Sequence, residues 1–302
     1  MNLPDVALAS TYDDWSFEPW VLACLALSAG LYLLGLARLW RRAGVGRGAG
    51  ATQALAFAAG WSTLVAALIT PIDTLGARFF SVHMVQHELL MIVAAPLFVL
   101  ARPLGIWSWA LPKPARRAVG WLLHRTAWRA GWRFMTAPLV AWTLHAAALW
   151  IWHVPRFFEA ALASEAVHAF QHIAFLLTAL LFWWSVLGAT TRRAQGIGLL
   201  SLFATMVHSG ALGALLALSS VPWYASYANT AGLFGLTALE DQQLGGLVMW
   251  VPTGLIYVAA GLAVAARWLA APAPSARTRQ RLAVRRAETI ARRELRSLPR
   301  SP

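Results

Sequence analysis

Apolar residues run along this chain in long stretches, separated by short polar connections in which arginine is frequent. A helix needs about 20 apolar residues to cross the hydrocarbon of a bilayer. Seven stretches qualify: 20–39, 52–71, 80–101, 134–152, 166–188, 196–219 and 243–266. No soluble domain fits between them. The pattern predicts an all-α, polytopic membrane protein of seven transmembrane helices. Residues 1–19 form a segment outside the cytoplasm, 20–268 the helical domain, and 269–302 a basic cytoplasmic tail.

Composition agrees with that reading. The chain is 59% hydrophobic and 12% charged, with a mean hydropathy of +0.58, whereas a soluble domain carries roughly a quarter charged residues. Charge also orients the spans. Of the 25 lysines and arginines, all but Arg78 and Arg156 fall in the first, third and fifth connections and the C-terminal tail. The opposite side holds Asp5, Asp13, Asp14, Glu18, Asp73, Glu159, Glu165, Glu240 and Asp241. By the positive-inside rule the N-terminus faces out and the C-terminus faces the cytoplasm. The net charge of +13 is thus a topological signal and no argument for nucleic-acid binding. The acidic first residues lack the basic start of a cleavable signal peptide, so the N-terminus is expected to be retained. Cys24 is the single cysteine, which excludes an intramolecular disulfide and any CxxC motif. In the third connection, Trp107, Trp109, Trp121, Trp128 and Trp132 lie among Arg116, Arg117, Arg125 and Arg129, the pattern of an amphipathic segment on membrane lipid. The Arg-rich tail reads either as a basic helix on anionic headgroups or as a solvated extension.

Depth then sorts the polar residues. Taking about 1.5 Å per helical residue, His87 and His172 lie roughly 10 Å below the outer boundary, with His83 and His168 one turn higher. His145 lies roughly 12 Å deep and His153 at the rim of the fourth span, Met249 is near the level of His87, and His208 is at roughly 16 Å. Only His124 lies outside this outer half. His83 and His87 share a helical face with Met84 and Met91, and His168 and His172 form a second i, i+4 pair. Glu88 stands at the edge of the first face, where it could orient an imidazole. A lone intramembrane histidine is often a hydrogen-bonding partner between helices, and a lone methionine is usually packing. Histidines sharing one level on several spans favour a metal or cofactor site.

The residues narrow its chemistry. His87 to Met91 approaches HExxH but lacks the second histidine, which disfavours a zinc protease. Lys113, the only lysine, lies in a cytoplasmic connection, so no retinal Schiff base is possible. Imidazoles on facing helices could hold one b-type haem for electron transfer. Imidazoles beside thioethers, with carboxylates scarce, suit copper, and Cu(I) above harder ions. Such a site handles an ion more than it performs a reaction, so the chain is not read as an enzyme. A copper transporter is a further alternative, although few ionisable residues lie below His208.

Three blocks, HMVQHELLMIVAAPLFVLARP, WIWHVPRFFEAALASEAVHAFQHIAFLLTALLFWW and ALEDQQLGGLVMWVPTG, resemble the motifs of the multi-span CtaG family, named for assembly of caa3-type cytochrome c oxidase. The resemblance spans most of residues 55–265. It implies a protein of the bacterial cytoplasmic membrane that matures a haem-copper oxidase by supplying copper, with oxidase subunits as partners. The matching positions are His83, His87, His153, His168, His172, Asp241 and Gln242, and His145 is compatible with the pattern. Asp241 and Gln242, at the mouth of the last span, would cap that helix or orient a ligand. The tail is not part of the family pattern.

Overall fold

The computed structural model describes residues 15–230 and 235–270, which are helical throughout their ordered elements and contain no strand. The expected basic tail helix lies outside the described residues. Among the described residues, six helices are long and apolar enough to cross a membrane, or seven if one bent pair is counted as a single span.

The first two spans are α1 (Pro19–Ala43) and α2 (Ala51–Leu68), followed by the short α3 (Pro71–Gly76). The third span is composite: α4 (Phe80–Glu88), a π-helical stretch (Leu89–Ala94) and α5 (Ala95–Ala101). Three helices fill the third connection, α6 (Pro103–Ala110), α7 (Lys113–His124) and α8 (Thr126–Met135). After α9 (Pro138–His153) and the short α10 (Pro155–Ala163) come α11 (Glu165–Leu187) and α12 (Arg192–Ala217), then a 3-10 turn (Ala225–Thr230) and α13 (Ala238–Ala270).

Two expectations change. The fourth span does not run unbroken over 134–152, because α8 ends at Met135 and α9, opening at Pro138, meets it at 59°. Pro138 opens α9 and Ala137 before it is extended, with ψ 132°, since a proline ring excludes the preceding residue from helical geometry. The third connection is not uniformly interfacial either. α7 and α8 bury no residue, and Arg125 between them stacks 3.7 Å over the Trp121 ring. α6, in contrast, packs on α1: the Trp107 indole donates to the Ser28 carbonyl at 3.0 Å. A Cβ added at Gly35 would stand 2.1 Å from the Ile106 carbonyl, so only glycine permits that approach.

α12 and α13 cross equally closely at Gly213 and Gly246, where a Cβ on either would fall within 3 Å of the other helix's backbone. Small residues at helix crossings are how membrane helices gain contact when the hydrophobic effect does not separate helix from lipid.

The third span is the most enclosed of these helices, and its π-helical stretch has a definable cause. Pro96 has no N–H, and the Ala95 amide bonds back to the Leu90 carbonyl five residues earlier. The Met91 carbonyl therefore loses its usual partner at Ala95, and its wide-turn partner would be the proline. The Trp183 indole from α11 fills that vacancy, donating to Met91 at 2.9 Å. Trp183 is 2% exposed and stacks on Tyr257 of α13. Replacing it should leave a buried carbonyl unpaired, at about 1–3 kcal/mol. Trp183→Phe is expected to lower the thermal unfolding temperature in detergent while the protein still inserts; an unchanged midpoint would show that the carbonyl finds another donor.

Candidate metal centre

Five of the expected histidines come together at one end of the bundle, the end opposite the arginine-rich connections. His83 and His87 descend from the start of α4, His168 and His172 from the start of α11, and His153 ends α9. The rings are neighbours: His168 to His172 at 4.1 Å, His83 to His87 at 4.3 Å, His83 to His168 at 5.1 Å, His87 to His172 at 5.4 Å, and His87 to His153 at 6.2 Å between centroids. One nitrogen each from His83, His168 and His172 lies within 4.8 Å of the others, close enough for those three to share an ion.

Hydrogen bonding leaves one side of these rings unused. His83 Nδ1 lies 3.3 Å from the Gly76 carbonyl, which can only accept, so Nδ1 carries the hydrogen and Nε2 keeps its lone pair. His153 Nδ1 donates to the Leu149 carbonyl at 2.7 Å by the same logic. The Nε2 atoms of His83, His153, His168 and His172, and both ring nitrogens of His87, are buried without a hydrogen-bond partner. A buried polar atom without a partner is costly, and these six on five neighbouring rings call for an explanation, three of the rings being placed so that they could hold a metal ion. Phe158 and Phe175 wall the site, 5.0 Å from His83 and 4.6 Å from His87.

Residues far away in sequence hold the pairs in place. Tyr227 donates to the Gly76 carbonyl at 3.0 Å and lies 3.3 Å from His83 Nδ1. Burial, with the nearby Asp241 and Glu159 carboxylates, pushes the Tyr227 phenol well above its usual range, so it stays a donor. Tyr224 donates to the His153 carbonyl at 2.9 Å. Gln86 ties the Ala67 carbonyl (2.8 Å) to Asp73 Oδ1 (2.6 Å). Tyr227, Tyr224, Gln86 and the fully buried Gln171 were invisible to histidine spacing. A polar residue inside an apolar span was the available signal for the two glutamines.

Asp241 and Gln242 do positioning work. Asp241 caps a helix other than its own: its carboxylate accepts from the Phe80 and Ser81 amides at 2.6 and 3.1 Å, where α4 begins. Gln242 holds the preceding connection, accepting from the Trp223 amide at 2.5 Å and donating to the Val221 carbonyl.

The remaining expected residues lie elsewhere. His145 hydrogen-bonds Thr178 at 3.2 Å and stacks on Phe182, away from the five-ring cluster. It shares its surroundings with His208, which packs edge-on against Trp142. His145 sits two helical turns from His153, so a common depth with His87 did not bring it to the same place. Glu88 lies near Thr253 and Tyr257 of α13, with one carboxylate oxygen buried and without a hydrogen-bond partner. Met84, fully buried, packs toward Gly245, and Met84, Met91 and Met249 all belong to the apolar core. The wide turns after Glu88 also break the four-residue phase that had aligned Met91 with His87.

Residues 30–271 match the family described as cytochrome c oxidase caa3 assembly factor, Caa3_CtaG. The chain is 27% identical over 272 residues to the uncharacterized protein MT0111 of Mycobacterium tuberculosis and equally to Mb0105 of Mycobacterium bovis, covering 86% of this chain and 40% of each relative. It is 28% identical over 288 residues to ML1998 of Mycobacterium leprae, covering 90% of this chain and 41% of that protein. The chain thus spans about two fifths of the length of these relatives. No solved structure matches it.

Asp241→Ala should cost about 1 kcal/mol through the lost cap and raise hydrogen exchange at the amides of Phe80 and Ser81. Unchanged protection there would mean that the cap does not hold the histidine-bearing helix.

Proposed function

We propose, for a chain that belongs to the Caa3_CtaG family of cytochrome c oxidase assembly factors, that it binds Cu(I) among its clustered histidines and passes the ion to the apo-oxidase. The observation that carries this reading is the convergence of His83, His168 and His172 with their Nε2 atoms unpartnered. His87 and His153 stand at the edge of that triad as further donors.

Donor chemistry supports copper in the monovalent state. Neutral imidazole is the ligating form and suits copper, zinc and iron. The triad offers three neutral nitrogens and no carboxylate, so a divalent ion would keep more uncompensated charge in a poorly screened pocket than a monovalent one. The thioethers lie in the core packing, so the preference rests on charge and on imidazole alone. Three donors from two helices also leave the ion open to a further ligand, which is what transfer to another protein requires.

The charge asymmetry of the connections supports a site on the extracytoplasmic side of a bacterial inner membrane. A b-type haem fits less well. A bis-histidine haem needs a slot for the macrocycle between its two axial rings, and here each imidazole pair is crowded by a third imidazole or by Phe158 and Phe175.

The purified, reduced protein is expected to take one Cu(I) per chain from a chromophoric chelator and to show no Soret band. The His83→Ala/His168→Ala/His172→Ala triple variant should lose that copper, and cells carrying it should yield oxidase poor in copper. His145→Ala should bind as the parent does. Equal copper in parent and triple variant would overturn the assignment. Tyr227→Phe, which removes the hydroxyl beside His83 Nδ1, should weaken Cu(I) binding by about tenfold, measured in the same competition.

A further inference from the structure

A cleft of about 550 Å³ opens between the first span and the fifth, beside the histidine cluster. Its mouth carries three carboxylates, Glu18 just before α1, Asp73 in α3, and Glu165 at the first position of α11. Its walls are apolar, with Val21, Leu25 and Leu68 on one side and Leu162, Ile173 and Leu176 on the other. Within it lie His168 and His172, and Cys24 on the facing helix. Of the five clustered histidines only these two line the cleft; His83, His87 and His153 are at most 2% exposed. His172, 8% exposed, has its Nε2 unpartnered.

We infer that this cleft is the passage by which a soft monovalent cation enters and leaves the histidine cluster, His168 and His172 being the first imidazoles it meets. The inference rests on the metal-handling reading and adds its route. Acidic groups at the mouth of a low-dielectric cleft concentrate cations there, and Asp73 lines the same cleft as His168. The volume far exceeds that of a bare ion, since a water occupies about 30 Å³ of liquid. There is room for ligands that escort the ion in, and for those of an acceptor that draws it out. Exchange of one neutral donor for another at the ion needs no redox partner and moves no proton.

Cys24 provides a native reporter. It is exposed, it lines the passage, and it is the only cysteine in the chain. Five residues into α1, it sits about 7 Å below the helix start, near the level of His168 and His172 on α11. The experiment compares Cu(I) uptake from a chromophoric chelator by the full chain before and after Cys24 is capped with N-ethylmaleimide or with a bulkier polyethylene-glycol maleimide. The bulky adduct should slow uptake by at least an order of magnitude, and the small one less. Cys24→Ser protein exposed to the same reagents should keep the uncapped rate. Independently, Glu18→Gln/Glu165→Gln should slow uptake about tenfold at low ionic strength and much less at high salt, with the amount finally bound unchanged. If capped and uncapped protein load at one rate, the passage is refuted while the metal reading stands. If the uncapped protein takes up no Cu(I), the metal reading falls and the passage with it.

Discussion

The histidine end of this bundle depends on one carboxylate. Asp241 begins the last span, yet its oxygens meet the amides that open the third, 160 and 161 residues earlier in the chain. A helix start leaves amides unpaired, and near a bilayer they cannot all be left to water. Supplying the partner from a distant helix welds the two spans at the level where His83 begins its descent. The backbone position of His83 and His87 then follows from that weld. The ring orientation of His83 follows from the neighbouring Gly76 carbonyl and the Tyr227 hydroxyl.

The same economy of partners recurs deeper. Pro96 removes a donor from the third span and the chain answers with wide turns, which strand the Met91 carbonyl until Trp183 reaches it from the fifth. The bonds of Asp241 and Trp183 join the third span to the seventh and the fifth respectively. Those are the helix that caps the site and the helix that brings the second histidine pair. The scaffold is therefore secured by polar contacts at the points where a purely apolar interface would leave backbone groups unpaired, and close glycine crossings, as at Gly213 and Gly246, hold the rest.

Against that satisfied framework the unsatisfied atoms stand out. Backbone carbonyls occupy one nitrogen of His83 and of His153, while the Nε2 atoms of the cluster go unmatched. The division has a chemical sense: one nitrogen fixes tautomer and orientation, and the other keeps its lone pair for a ligand. His145 shows the contrast. It hydrogen-bonds Thr178 and stacks on Phe182 within the packing of α9 against α11, and it reads as a structural histidine.

Much of the architecture was legible in the amino-acid order, because hydrocarbon thickness is a local length and a span must meet it with its own residues. The existence of the spans, the two i, i+4 histidine pairs and their common depth all follow from one-dimensional spacing. Pro138, inside the apolar stretch 134–152, bends the chain before α9 where apolar length alone marked a continuous span. Depth, however, is one coordinate, and two histidines at one depth can face different neighbours. The rotation of each helix about its axis is set by packing against other helices, and that decided that His153 joins the cluster while His145 does not. It decided too that Glu88 turns toward Thr253, that the methionines fill the core, and that Asp241 caps a foreign helix. Local periodicity determined which groups lie in the membrane and how far down; only the long-range contacts determined which of them meet.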